Sequence, residues 1–423
     1  MNLDSTRAAA RALHALLSLF ALSAASHAQD TPKPAPPAVA TFADDLKRTD
    51  GDALAARVRQ WFGADYLKTG PYPKMDDLRL VAAIETTAPP PAGVTPAFVS
   101  DDGKYRLPLR RLGTSNVYAA STELPEGTYL RFHYEIGTER KGGNDLEAYH
   151  TPPEYKGNPA VPHGKLTEMS EWHSQVFPNT TRRWWVYVPA QVAAAPEKPA
   201  AVCIIQDGEW FRGYVPTVFD NMIAKGEIPP MVVVMVNPGR YADQKPNDGA
   251  ADRGFEYDTL SDQYARFLLT EILPEVEKTT KLRHDAAGRM TQGTSSGGIC
   301  AWTAAWEKPE EFGKVLSWVG SFVNLHSGKT GVEGGHNYPP LIRRSKDHPK
   351  PIRVFLQDGS NDLDNPFGNW PLAAQEMAAA LKYSGYDYRF VYGQGGHNDR
   401  QGKATYPDAL RFLWRDWRET GAK

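Results

Sequence analysis

The sequence predicts an α/β chain: a mostly parallel sheet with helices on both faces, preceded by a small N-terminal β-sandwich. Three observations predict it. From about residue 180 onward, continuous apolar runs alternate with helical stretches, which is the rhythm of a sheet buried on both sides. Between residues 78 and 137 the apolar runs are instead short, alternating and bounded by Pro and Gly, the pattern of half-buried antiparallel strands. The chain has 423 residues, enough for two or three domains. Its composition is 41% hydrophobic and 23% charged, with a net charge of −2. That balance lacks the basic excess of a nucleic-acid-binding protein.

The elements follow in order. Residues 1–28 read as a signal peptide. Arg7 and Arg11 precede an apolar run over 12–25, and Ser26-His27-Ala28 is a small-x-small cleavage site. The run is too short to span a bilayer, and no other reaches that length. The expectation is an exported protein, periplasmic or secreted, with no integral membrane segment. Residues 29–73 read as linker and helical lead-in. TPKPAPPAVA (31–40) is Pro/Ala-rich, and DALAARVRQWF (52–62) spaces Leu54, Val58, Trp61 and Phe62 at helical intervals. Residues 74–150 form the expected β-sandwich, with strands at LRLVAAIE (78–85), YRLPLRRL (105–112), NVYAAST (116–122) and TYLRFHYEIG (128–137). HTPPEYKGNPAVPHG (150–164) reads as an inter-domain linker.

The remainder, 165–423, is the expected catalytic domain. Its strands are predicted at RWWVYVP (183–189), AVCIIQDG (201–208), MVVVMVNP (231–238), GRMTQG (288–293), KVLSWVGSF (314–322), IRVFLQDG (352–359) and YRFVYG (388–393). Helical stretches lie near 215–224, 258–278, 295–306, 371–384 and 406–417. In such sheets ligands bind where strands end and loops begin. The two cysteines, Cys203 in an apolar strand and Cys300 in a helix, read as buried free thiols although export permits a disulfide. Neither has metal-site spacing, so no metal or cofactor is expected. The 11 tryptophans suit a large core or an aromatic-lined site.

The strand GRMTQG runs into Gly293-Thr294-Ser295-Ser296-Gly297-Gly298, where a helix begins. This is G-x-S-x-G in the strand–turn–helix context that it requires. The turn is so tight that side chains two before and two after the serine would strike neighbouring strands. The pattern makes Ser295 the candidate nucleophile; Ser296 lacks a glycine two residues earlier. A serine needs a base to take its proton. "GGHN" occurs twice, at 334–337 and 395–398. The first copy lies in a polar stretch with no strand ending nearby. The second directly follows strand YRFVYG and precedes the last helix, which selects His397 over His336. The acid belongs to the loop after IRVFLQDG, where Asp358, Asp362 and Asp364 compete. Asp362, just past a Gly-Ser-Asn turn, is favoured. A calcium loop is excluded because its sixth position, Leu363, is not glycine. The oxyanion donors are expected from the amide of Ser296 and, in the Asp207-Gly208-Glu209 turn, from the amide of Glu209.

Together, RRWWVYVP, IIQDGEWF, LLTEILPEVEK, GTSSGG, LQDGSNDLDN and GGHN resemble the putative-esterase family of α/β-hydrolases, the enterochelin esterase-like and feruloyl esterase-like group, over roughly 170–420. The resemblance implies Ser295 as nucleophile, Asp362 as acid at the G-x-x-D position, His397 as base and Glu209 as the first oxyanion amide. It also implies an N-terminal β-sandwich, as enterochelin esterase-like members carry. Gln206 departs from the pattern, since relatives often have histidine there. The expected function is a serine carboxylic-ester hydrolase working through an acyl-enzyme on a small-molecule or carbohydrate-linked ester. An acyltransferase of the same fold and a non-catalytic binding protein are the alternatives. Every expected catalytic group lies in 165–423, so proton transfer does not need the sandwich: Tyr105, Tyr118, Tyr129, Phe132 and Tyr134 read first as its core, with one wall of the substrate cleft as the further hypothesis.

Overall fold

Two antiparallel four-stranded sheets form the N-terminal part of the computed structural model, which describes residues 38–241, 252–325 and 334–420. The expected signal peptide lies outside the described residues, as do most of the Pro/Ala-rich linker and the start of the polar stretch before the first GGHN. In one sheet the order is β1 (Lys74–Asp76), β2 (Arg79–Glu85), β6 (Val117–Glu123), β5 (Arg110–Arg111). The other runs β4 (Arg106–Pro108), β3 (Ala97–Ser100), β7 (Thr128–Ile136), β8 (Glu139–Ala148).

Period-two alternation explains how β2 is used. Leu80, Ala82 and Ile84 pack inward on Phe98, Phe132 and Tyr134 of the opposite sheet. Val81 and Ala83 point outward onto Phe42, Leu46, Leu54 and Val58. Those residues belong to the helices Val39–Arg48 and Asp52–Phe62. RLVAAIE is therefore apolar throughout because both of its faces are covered. The first helix starts at Val39, inside the stretch read as linker. The segment 105–112, expected to be one strand, divides at Leu109 into β4 and β5, which belong to different sheets.

β10 (Trp172–His173), β11 (Thr180–Arg182) and β15 (Arg240–Tyr241) form a small antiparallel sheet of their own. The main sheet has eight strands, in the order β21-β18-β17-β16-β13-β14-β12-β9. These are β9 (Lys165–Glu168), β12 (Trp184–Val188), β13 (Ala201–Gln206), β14 (Met231–Val236), β16 (Arg289–Thr294), β17 (Lys314–Trp318), β18 (Arg353–Asn361) and β21 (Tyr388–Gly396). From β21 through β14 the pairing is parallel, and β12 and β9 run antiparallel at the edge. The hairpin β19 (Asp364–Asn365) and β20 (Gly368–Asn369) decorates the loop after β18.

Alternation again assigns faces. Val202 and Ile204 of β13 meet the helix Ser296–Glu307 and the helical segment 263–277. Ala201, Cys203 and Ile205 meet the helices Val215–Ala224 and Arg400–Leu413. Cys203 and Cys300 are both free and buried, in the cores on opposite faces of the sheet. The helix expected near 406–417 runs instead from Arg400 to Leu413, starting six residues early, and a short helix at Trp417–Thr420 follows it. Most tryptophans serve the cores: Trp184, Trp185, Trp302, Trp318 and Trp414 are fully buried. No helix among the described residues is long and apolar enough to cross a membrane.

Candidate active site

The site gathers at the C-terminal ends of the parallel strands. Ser295 follows β16 with φ 59° and ψ −123°, a conformation L-residues rarely adopt. The neighbouring glycines show why the turn is possible. A Cβ on Gly293 would lie 2.2 Å from the Gly297 carbonyl oxygen, and one on Gly298 would lie 2.5 Å from Ser317 Oγ. The turn is pinned by two backbone bonds: Ser295 N donates to the Trp318 carbonyl at 2.9 Å, and Ser321 N donates to the Ser295 carbonyl at 3.1 Å. Two other non-glycine residues are left-handed at strand ends beside it, Asp207 after β13 (φ 55°) and Val319 after β17 (φ 42°). Three neighbouring strands of the sheet therefore end in unfavourable backbone.

The loop after β21 brings His397 to this serine. His397 Nε2 is 2.8 Å from Ser295 Oγ, and Nδ1 is 2.5 Å from Asp362 Oδ1. Asp362 N donates to the Gly359 carbonyl at 3.2 Å, which closes the turn after β18 and aims the carboxylate back at the imidazole. Asp362 Oδ1 also accepts from Leu363 N at 2.6 Å. The other two aspartates of the loop lie elsewhere. Asp364 is exposed in the β19–β20 hairpin. Asp358 is fully buried beneath Asp362, and its Oδ1 accepts from Gly359 N at 2.7 Å.

The two carboxyls interact. Asp358 Oδ2 and Asp362 Oδ2 are buried and have no other partner. Two neighbouring buried carboxyls cannot easily both be ionised. Burial, then the hydrogen bond and charge of Asp362, push the Asp358 carboxyl up to about 9.

The expected histidine choice can be compared directly. His336 is exposed, in a one-turn helix over Gly335–Asn337, and its ring nitrogen lies 3.4 Å from Asn337 Nδ2. It makes no contact with Ser295 or with an acid of the β18 loop. The Ser296 amide opens the helix Ser296–Glu307 and has no acceptor among the described residues. The Glu209 amide already has one: it donates to Asn237 Oδ1 at 3.0 Å. Beneath the elbow, Asp207 is held by Arg253 through bonds of 3.0 and 2.8 Å. Asp258, beside Ser296, is pushed up to about 7 by burial.

Two further residues touch the constellation. Ser321 Oγ lies 3.3 Å from Ser295 Oγ and accepts from Trp370 Nε1 at 3.3 Å. The Trp370 ring stands edge-on to the His397 imidazole, 5.7 Å between centroids. Ser321 sits three residues past β17 and Trp370 in the GNWP run after the acid loop, and both strand-end positions were the available signal. Trp210, next to Glu209, and Phe367, in the turn between β19 and β20, are large apolar side chains exposed at 62% and 45%.

The profile of the family described as putative esterase matches residues 174–413. Among curated proteins, an iron(III) enterobactin esterase of Dickeya dadantii (strain 3937) is 24% identical over 343 residues, covering 76% of this chain and 72% of that protein. An endo-1,4-β-xylanase/feruloyl esterase of Xylanibacter ruminicola is 24% identical over 249 residues, which is 56% of this chain and 29% of that protein. Among solved structures, the ferric enterobactin esterase of Salmonella typhimurium superposes with a TM-score of 0.57 at 19% identity, covering 85% of this chain and all of its own. The Shigella flexneri enterobactin esterase crystallised in the presence of enterobactin gives 0.56 at 18% identity, covering 85% and 98%. These structures share the α/β-hydrolase fold described above.

Proposed function

Because the chain belongs to the putative-esterase family, we propose that it is an exported serine esterase that cleaves its carboxylic ester through an acyl-enzyme. One observation carries the reading: a single imidazole bridges Ser295 Oγ at 2.8 Å and Asp362 Oδ1 at 2.5 Å. In the proposed reaction, His397 Nε2 takes the Ser295 proton as Oγ attacks the ester carbonyl. Asp362 holds Nδ1–H and stabilises the imidazolium that forms. His397 then protonates the departing alcohol, leaving Ser295 acylated. A water molecule, deprotonated by the same imidazole, releases the acid in the second half.

The tetrahedral oxyanion is held by the Ser296 amide at the start of its helix. The Glu209 amide is the second donor in this proposal, and it must exchange its Asn237 acceptor for the oxyanion. The exposed Trp210, next in sequence to the proposed oxyanion donor Glu209, and Phe367, which follows the acid loop, favour an ester with an aromatic acyl group. Residues 1–28 are the proposed signal peptide, 74–150 the proposed β-domain and 165–423 the proposed catalytic domain, acting in the periplasm or outside the cell.

A fluorophosphonate probe tests the mechanism. The wild-type protein should be labelled at Ser295, and Ser295→Ala should not. Labelling that persists in Ser295→Ala would place the nucleophile elsewhere. A panel of aryl, acetylated-sugar, feruloyl and siderophore-lactone esters then assigns the substrate class.

A further inference from the structure

The loop that presents His397 is gripped from outside the catalytic sheet. Glu147, at the end of β8 in the N-terminal sandwich, is 6% exposed. Its Oε1 accepts two hydrogen bonds, from Gly396 N at 2.8 Å and from Asn398 Nδ2 at 2.5 Å. These two donors are the immediate neighbours of His397, one on each side. The grip continues into the following helix. Asn398 Oδ1 accepts from Arg400 N at 2.9 Å, the Arg400 guanidinium reaches the Asp145 carbonyl at 3.4 Å, and it lies over the Tyr72 ring at 5.5 Å. A Cβ on Gly396 would lie 3.2 Å from Tyr129 Cε2 of β7, and one on Gly395 would lie 3.0 Å from Glu147 Oε2. The glycines of this GGHN copy therefore let the histidine loop lie flat against the sandwich.

The chemistry of the contact is unusual for an architectural seam. Apolar packing suffices to hold two layers together. A buried carboxylate does so only at a desolvation cost that its hydrogen bonds must offset. Among the described residues no cation pairs with Glu147 at salt-bridge distance. Its Oε1 is spent wholly on the two residues that flank the imidazole. Its Oε2 is buried without a hydrogen-bond partner among the described residues, as is the Tyr149 hydroxyl.

We propose that Glu147 is a positioning residue for the esterase reaction: by tying both neighbours of His397 to the sandwich, it fixes the imidazole between Ser295 and Asp362. This rests on the serine-esterase reading above and changes the part assigned to the N-terminal domain. In this reading the sandwich supplies one fixed point of the catalytic geometry. A loop shift of about 1 Å can cost on the order of 100-fold in rate, so a single distant carboxylate has that much leverage.

The test uses the full-length protein with Glu147→Ala, Glu147→Gln and Asn398→Ala. Each is assayed on p-nitrophenyl acetate, on a bulky aryl ester and for its rate of phosphonate labelling. Positioning predicts that Glu147→Ala lowers kcat by about 10- to 100-fold on both esters, with KM within about twofold and labelling slowed in parallel. Glu147→Gln keeps an acceptor oxygen in the same place and should recover most of the loss. The proposal is overturned if Glu147→Ala keeps wild-type kcat, if its only defect is a raised KM on the bulky ester, or if Glu147→Gln is as impaired as Glu147→Ala. Should Glu147→Ala not fold, Asn398→Ala decides: a several-fold fall in kcat at an unchanged melting temperature supports the proposal, and wild-type kcat overturns it. A wild-type protein that fails to label at Ser295 would instead sink the esterase mechanism itself.

Discussion

Replacing Asp358 by asparagine should leave the enzyme working and make it more stable at alkaline pH. Asp358 is fully buried under Asp362, and its carboxyl is pushed up to about 9. In the unfolded chain an aspartate titrates near 4. Between those values the folded protein holds a proton that the unfolded chain has released. Stability then falls as pH rises, by about 1.4 kcal/mol per pH unit for one such proton. This contribution is intact below about pH 4, declines steadily above it and is lost once pH passes about 9. From pH 6 to pH 9 the decline is roughly 4 kcal/mol. In Asp358→Asn the carboxamide cannot ionise, yet its N–H can still donate to Asp362 Oδ2. The decline should therefore be absent from the variant. At roughly 1–2 °C per kcal/mol for a chain this long, the gap in Tm between variant and wild type should widen by roughly 4–8 °C over that range. Calorimetric melts at pH 6, 7, 8 and 9 measure it, alongside kcat at pH 7, which should stay within about tenfold of wild type. Parallel melting curves would mean that Asp358 carries no such proton. A kcat loss matching that of Asp362→Asn would mean that Asp358 is itself the acid.

The other predictions concern the triad and the core. His397→Ala should lower kcat by about 10³-fold or more, whereas the exposed His336→Ala should cost less than about tenfold; equal losses in folded protein would refute the choice between the two GGHN copies. Asp362→Asn should cost about 10⁴-fold through the wrong imidazole tautomer, and Asp364→Asn, in its exposed hairpin, little; steady-state rates at saturating ester decide, and the reverse order would move the acid to the hairpin. Arg182 forms a fully buried two-bond pair with Glu256, at 2.7 and 2.9 Å. Arg182→Ala should therefore destabilise the fold by about 3–5 kcal/mol, the cost of leaving a buried carboxylate unpaired, seen as a shifted urea midpoint without a matching kcat defect in the protein that remains folded.

What could be read in the sequence was what depends on local demands. The elbow at Ser295 needs small residues at fixed offsets, so Gly293 and Gly297 announce it. His397 was identifiable because it follows a strand and precedes the last helix. Choosing among three aspartates depended on a turn hydrogen bond, Asp362 N to the Gly359 carbonyl, that spacing only suggests. The strand β8 is not legible in the sequence because ERKGGNDLEA is polar through most of its length and lacks an apolar period. Glu147 lies on that strand, 249 residues from the loop that it holds, and no local pattern connects the two. The early start of the last helix was hidden in the same way: Arg400, Gln401, Gly402 and Lys403 carry no apolar repeat, and Gly402 is admitted because the Trp318 ring lies where a side chain would be. The engagement of the Glu209 amide by Asn237 likewise joins two strand ends that the sequence keeps 28 residues apart.

The left-handed backbone at Asp207, Ser295 and Val319 bears on how this protein would drift. Each of the three is a residue that glycine could replace with less conformational strain, and Ser295→Gly would remove the nucleophile while relaxing the tightest turn. Selection for abundance or heat resistance alone therefore pulls toward inactive descendants. A lineage that retains serine at 295 while its surroundings vary would record continued use of the reaction. In a directed-evolution library screened only for solubility, position 295 is where activity would be lost first.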